Sequence, residues 1–143
     1  MSGNVFVDTN VFVYQRDLGE RRKQPLARAW LEHLWRRRAG RTSMHVLGEY
    51  YAVVTRKLKP GLPREQARQD VTNLLAWNPI ATERAVIESA WRVEDRYGLS
   101  WWDALVVAAA MASRCERLLT EDLQDGLDLD AVVVVNPFVH PPS

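Results

Sequence analysis

Val5, Phe6 and Val7 form an unbroken apolar triplet, and Asp8, Thr9 and Asn10 follow at once. A strand covered on both faces reads this way, because neither face alternates with polar residues. Such a strand needs helices above and below it, which points to a sheet sandwiched between helix layers. In an open α/β sheet, function collects beyond the carboxyl ends of the strands. Asp8 stands at that edge, and Thr9 or Asn10 can open the next helix.

The rest of the chain alternates helical periodicity with short extended runs. Val11, Phe12 and Tyr14 suggest a short helix, and residues 17–24 a polar, basic loop. Pro25 can open a helix whose apolar face is Leu26, Ala27, Trp30, Leu31, Leu34 and Trp35, with Gly40 in the C′ position after it. Residues 41–43 are a candidate second strand. Thr42 or Ser43 then caps a helix to about Lys59, and Pro60 with Gly61 stops it. Pro63 starts another helix. Residues 78–81 are a poor strand, placed at a sheet edge by Pro79. Thr82 caps a helix that Tyr97 and Gly98 close, and Ser100 caps a strongly apolar one running from Trp101 to about Arg114. Residues 117–120 and 131–135 are the last strands, on either side of an acidic loop. Strands alternating with helices predict an α/β fold with a mostly parallel sheet.

The 143 residues fit one domain, spanning 1–143, that folds without a metal or disulfide staple. Net charge is only +1, so the whole molecule is no polyanion magnet. Arginines nevertheless crowd the first third and aspartates the end, which permits a local basic surface. Cys115 is the sole cysteine; it excludes an internal disulfide and a cysteine zinc site and fits a reducing cytoplasm. No signal peptide is read at the N-terminus. The apolar run 99–112 is interrupted by Asp103 and too short to span a bilayer, so no membrane role is expected.

Four acids stand in settings that invite chemistry, each beside a plainer reading. Asp8 is either a helix N-cap or a strand-end ligand. Glu49 borders an apolar helix face, where it can also pair with Arg56 or Lys57. His45 lies one turn earlier, as a metal pair would, although a capping or core role suits it better. Asp103 is surrounded by Trp101, Trp102, Ala104 and Leu105 on a helix apolar on nearly all sides. A buried carboxylate needs a partner, either its own helix amino end through Ser100 or a cation. Asp122 follows the strand of Leu118 and Leu119, with Glu121, Asp125 and Asp128 as competitors. Carboxylates brought together at one sheet edge repel, and an all-oxygen cluster without Cys or several His selects a hard ion, Mg²⁺ or Mn²⁺.

Val7-Asp8-Thr9-Asn10, the helix from Val46 through Glu49 to Tyr50, the run from Leu99 through Asp103 to Leu105, Leu119-Thr120-Glu121-Asp122 and the closing Val135-Asn136-Pro137-Phe138 together resemble the PIN domain, specifically VapC-type toxins of toxin–antitoxin pairs. The ordered set covers nearly the whole chain. The resemblance implies a five-stranded parallel sheet in a three-layer α/β/α sandwich and a homodimer. It implies a four-acid site of Asp8, Glu49, Asp103 and Asp122, supported by Asn10 and Thr120. It selects Asp122 over Glu121 and Asp125, because the family pattern is Thr, any residue, Asp.

The activity so implied is Mg²⁺-dependent endoribonuclease cleavage of an RNA phosphodiester, with Mn²⁺ as a possible substitute. Asp8 and Asp103 are the expected metal ligands; Glu49 and Asp122 complete the set, orient waters or assist proton transfer. A basic rim must hold the phosphates, and Arg36, Arg37, Arg38, Arg41, Arg56 and Lys57 are the candidates, each equally readable as solvated helix surface. The tryptophans are read as core and interface rather than as a base-stacking platform. The resemblance also implies a VapB-type antitoxin whose apolar segment docks on the helices and whose basic side chain enters the acidic site. Two rivals stand beside this reading. One is a PIN-like module that only binds RNA or a protein. The other is a Mg²⁺ phosphohydrolase, disfavoured because Asp8-Thr9-Asn10 lacks a second Asp two residues on and no glycine-rich phosphate loop is present.

Overall fold

In the computed structural model, which describes residues 3–143, β1 (Val5–Val7) is buried on both faces, with all three residues at 0% exposure. Met1 and Ser2 lie outside the described residues, so the expected domain of residues 1–143 is described from Gly3 onward. The chain leaves β1 through Asp8, whose carboxylate caps α1 (Thr9–Tyr14) by accepting from the Thr9 N–H. α2 (Lys23–Arg37) then runs back to the amino edge of the sheet and enters β2 (Gly40–Arg41). Ser43 caps α3 (Met44–Arg56) by accepting from the Val46 N–H at 3.1 Å. α4 (Arg64–Leu74) continues into a 3-10 turn, Leu75–Trp77. α5 (Arg84–Tyr97), α6 (Trp101–Ala112), β3 (Arg117–Leu119) and β4 (Val133–Val135) complete the order.

The sheet is four-stranded and wholly parallel, in the order β2-β1-β3-β4. Val5 sits opposite Gly40 and Arg117, so the carboxyl ends of the central strands share one edge. The expected fifth strand at residues 78–81 is reduced to one parallel bridge between Ser43 and Ile80, held by Ile80 N–H to Thr42 O at 3.1 Å and Met44 N–H to Ile80 O at 2.9 Å. Pro79 removes a donor there, which limits the pairing to this single rung. Helices α1 to α4 pack together as one layer and α5 against α6 as the other. Right-handed crossovers require this: the chain steps outward from β1 over one face and returns to β3 over the other.

Three local expectations shift. Gly40 is not the C′ residue of α2; Arg38 takes the left-handed conformation (φ 54°) and Gly40 joins β2. Glycine is needed there for another reason, since a Cβ would lie 2.4 Å from the buried Trp77 ring. α3 stops at Arg56 rather than Lys59, and the N-cap of α5 is Glu83 rather than Thr82. Gly98 closes α5 in the left-handed region (φ 66°), as the sequence predicts, and Ser100 caps α6. Among the described residues, no helix is long and apolar enough to cross a membrane.

Candidate active site

The parallel register delivers the backbone of Asp8 and Thr120 to neighbouring strand ends. Asp8 N–H still bonds Leu119 O at 3.1 Å, and Thr120 N–H bonds Val135 O at 3.1 Å. Asp8 is 7% exposed and Thr120 fully buried. The Thr120 hydroxyl donates to Asp8 Oδ2 at 2.8 Å, and its oxygen accepts from the Asp122 N–H at 3.1 Å and from Asn10 Nδ2 at 3.0 Å. Asn10 Nδ2 also reaches Asp122 Oδ2 at 3.1 Å and, more loosely, Asp8 Oδ2 at 3.4 Å. One hydroxyl and one amide thus tie two carboxylates into a lattice. Glu49 joins from α3, its Oε1 accepting from Thr9 Oγ1 at 2.5 Å.

The energetics of this corner are those of carboxylates kept close together. Burial pushes Asp8 up from 3.8 to about 6; hydrogen bonds from Thr120 and Thr9 hold it back, and repulsion from Asp122 and Glu49 drives it further. Asp122 is raised too, by burial first, against the Asn10 hydrogen bond and with Glu121, Asp103 and Glu49 repelling it. Asp103, in the first turn of α6, adds to that repulsion but shares no hydrogen bond with the cluster. Asp103 is only half-buried, not enclosed as the apolar helix around it suggests, because it stands in the first turn of α6; Ser100 Oγ accepts from its backbone N–H at 3.3 Å, so the capping role belongs to Ser100.

The other acids of the 121–130 loop are engaged elsewhere. Glu121 accepts from Tyr14 OH with one oxygen and from Lys23 Nζ at 2.8 Å with the other. Asp125 accepts from the Asn136 N–H at 2.8 Å and pairs with His140 at 2.7 Å. Asp128 accepts from the Asp130 N–H. Asp122 is the acid of this loop that faces Asn10 and Asp8.

An open groove of about 480 Å³ lies beside the cluster, with Thr9, Asn10, Glu49, Asp122 and Lys57 among its walls. Of the six expected cations, Lys57 is the one in this groove, with Arg56 preceding it at the end of α3. Arg36, Arg37, Arg38 and Arg41 are not brought to it. α2 runs antiparallel to the strands, so its arginine end arrives at the amino edge: Ala39 O accepts from the Val5 N–H, and Arg37 lies near Arg117 at the start of β3. Arg38 and Arg41 line a separate hollow there with Trp35 and Trp77.

Two roles were not visible in the sequence. The Thr9 hydroxyl tethers Glu49, a contact between elements 40 residues apart that no local pattern encodes. His45 neither caps α3 nor enters the core; its ring stacks on Trp102 of α6.

The donors fit a hard cation in kind. They are all oxygens, the carboxyls of Asp8 and Asp122 are both raised in a way that a cation would relieve, and Asn10 Oδ1 is buried without a hydrogen-bond partner. Among the described residues, no three carboxylate, imidazole or thiol groups already converge as an ion cage. The side chains are instead held by Thr9, Asn10 and Thr120.

The sequence matches the PIN domain family model over residues 5–125. Comparison with curated proteins returns no match. Among solved structures, the chain is similar to a toxin–antitoxin complex from Klebsiella pneumoniae, with a TM-score of 0.65 and 23% identity, covering 94% of this chain and 98% of that one. It is similar to VapC20 of Mycobacterium tuberculosis, a sarcin-ricin loop cleaving toxin, at a TM-score of 0.58 and 20% identity over 80% and 87% of the two chains. It is also similar to VapBC2 of Rickettsia felis bound to a DNA fragment from their promoter, at 0.60 and 16% over 91% and 96%. At these identities the likeness is one of fold.

Proposed function

Because the chain belongs to the PIN domain family, we propose that it is a cytoplasmic, Mg²⁺-dependent endoribonuclease, the toxin of a VapBC-type pair, acting as a single-domain homodimer restrained by a VapB-type antitoxin. The observation that carries this reading is the hydrogen-bonded lattice of Asp8, Asn10, Thr120 and Asp122, with Glu49 tethered beside it and Asp103 electrostatically coupled to it.

Asp8 and Asp103 would hold the ion, and Mn²⁺ can replace Mg²⁺ at oxygen donors. When bound, the ion supplies Lewis-acid polarisation of a phosphoryl oxygen and a water of lowered pKa. The protein's own part is positioning. Thr120 fixes the Asp8 carboxylate, and Asn10 fixes Asp122 against Thr120. Thr9 fixes one oxygen of Glu49, leaving the other to orient a water or accept a proton at the groove wall. Lys57 in the groove and Arg56 beside it meet the RNA backbone. A second hollow of about 260 Å³ between α1, α2 and α4, lined by Phe12, Leu31, Trp35, Leu74 and Trp77 among others, suits an apolar antitoxin segment.

The test is incubation of wild type and Asp103→Asn with a mixed RNA pool in Mg²⁺, Mn²⁺ or EDTA. Metal-dependent cuts, absent in the folded variant, are expected. No cleavage of structured transfer and ribosomal RNA by the metal-loaded wild type would leave a binding module in its place.

A further inference from the structure

The proposed nuclease has a difficulty that its own geometry raises. Asp8, Glu49 and Asp122 are held at the carboxyl edge of the sheet, and the arginine end of α2 lies at the opposite edge. Of the expected cations only Lys57 lines the acidic groove, so a grip on RNA gains from a component independent of charge.

Such a component stands beside the acids. Trp102, 62% exposed, is the residue before Asp103 in the first turn of α6. His45 lies one turn before Glu49 on α3, on the same helix face. The two rings are stacked, with centroids 5.5 Å apart and planes within 6° of each other. Parallel rings of this kind present a flat outer π-face, with the indole backed from behind and its orientation set by a second helix. An apolar patch for a protein partner has no need of coplanar rings, whereas a third ring added to a stack does. The stack bridges the two helices that carry Glu49 and Asp103, with His45 one turn from Glu49 and Trp102 next to Asp103 in the chain.

We propose that the Trp102–His45 stack is a subsite for an unpaired nucleobase of the RNA, adjacent to the phosphate that is cut. The assignment rests on the ribonuclease reading for its substrate class. Trp102 is the stacking surface, and His45 is a positioning residue that holds the indole flat. Stacking is tolerant of base identity, so the subsite selects unpaired over paired RNA rather than one base over another.

The experiment separates binding from cleavage. Anisotropy with a labelled, randomised single-stranded RNA oligonucleotide is measured in EDTA for wild type, Trp102→Ala, Trp102→Phe and His45→Ala, and repeated with an abasic oligoribonucleotide of the same length. Trp102→Ala is expected to weaken binding to the base-bearing RNA by at least about fivefold, a single lost stacking contact. Trp102→Phe should restore most of the affinity, and the abasic RNA should bind wild type and Trp102→Ala alike. The ratio of wild-type to Trp102→Ala affinity should hold across salt concentrations, because no counterion release is involved. Under cleavage conditions, Trp102→Ala should raise KM with little change in kcat. Equal RNA affinity of wild type and Trp102→Ala overturns the proposal while leaving the nuclease reading intact. Trp102-dependent binding without any metal-dependent cleavage sinks the nuclease reading and the placement beside a cut phosphate, and keeps only the binding of an unpaired base. Light scattering decides the last case: if Trp102→Ala dissociates a dimer, the indole covers a second copy of the chain and the proposal fails.

Discussion

Asp8→Asn is the perturbation that most directly probes the state of the acidic corner. The Asp8 carboxyl sits near 6 in the folded protein against 3.8 for an ordinary aspartate, with burial the main cause. At about 1.36 kcal/mol per pH unit, the gap is worth about 3 kcal/mol of folding free energy. A carboxyl raised on folding favours the fold when protonated. Its contribution is therefore fully present below the unfolded value and lost as pH rises through the folded one. Metal-free wild type should lose about 2 kcal/mol from this group between pH 4 and pH 7. Asn at this position cannot titrate. It will disturb the hydrogen bonds to Thr9 and Thr120, at a cost that does not change with pH. The difference in unfolding free energy, Asp8→Asn minus wild type, should thus climb by that amount over the same range, whatever its starting value. Urea unfolding in EDTA at intervals between pH 4 and pH 7 measures it. Added Mg²⁺ should then stabilise wild type and leave the variant nearly unmoved, since a ligand that binds only the native state raises its stability. A flat difference, or one that falls with pH, would refute the argument: it would mean that the hydrogen bonds to the carboxylate outweigh its burial.

Other consequences can be checked on the same apparatus. Thr120→Val keeps the shape but removes the hydroxyl shared by Asp8, Asn10 and the Asp122 N–H, and should cost about 1–3 kcal/mol, with Thr120→Ser recovering most of it. A Val variant as stable as wild type would mean that the lattice holds without its hub. Gly40→Ala should cost about 1–3 kcal/mol by driving a methyl into Trp77, and pairing it with Trp77→Leu should be clearly less than additive in thermal melts. Asp70 accepts from Arg16 at 2.7 and 3.0 Å, from Tyr50 OH at 2.6 Å and from Gln66 at 3.0 Å. Burial pulls its carboxyl up, but these hydrogen bonds more than offset it and hold the group below the ordinary value. Asp70→Asn should therefore cost about 2 kcal/mol at neutral pH, and the deficit should shrink in acid as wild-type Asp70 protonates, the reverse of the Asp8 trend. A deficit that grows in acid would contradict it.

What the sequence discloses about this molecule depends on the range of the interaction that encodes it. β1 is legible because its three residues are buried on both faces and nothing polar interrupts them. Ser43, Gly98 and Ser100 are legible because caps are read from adjacent residues and backbone conformation. The acids stand out as candidates by their place after strands or inside apolar runs; the contacts that hold them, Thr9 to Glu49 and Asn10 to Asp122, cross the fold and are not written in that placement. The direction of α2 is different in kind. Arginines on a helix read as a basic rim until the topology decides which edge of the sheet the helix end reaches, and here it reaches the amino edge. Gly40 misleads for a similar reason, since its constraint comes from Trp77, which belongs to a distant segment. The roles of Thr9 and His45 are side-chain contacts across the fold and leave no periodic trace.

The strand order has a consequence for when this chemistry can first exist. β1 emerges first in synthesis but lies between β2 and β3, and Thr120 reaches Asp8 from 112 residues away. While the chain is being made, β2 can settle on one side of β1, but the other side stays open until nearly all of the polypeptide is available. Throughout that interval Asp8 has no hydroxyl partner and Asp122 is absent. Synthesis therefore passes through no shorter product with the assembled acidic corner, and a prematurely released chain ending before Thr120 lacks it altogether. The parallel crossover thus sets the acidic corner's assembly at the end of synthesis, after the last strands have been made.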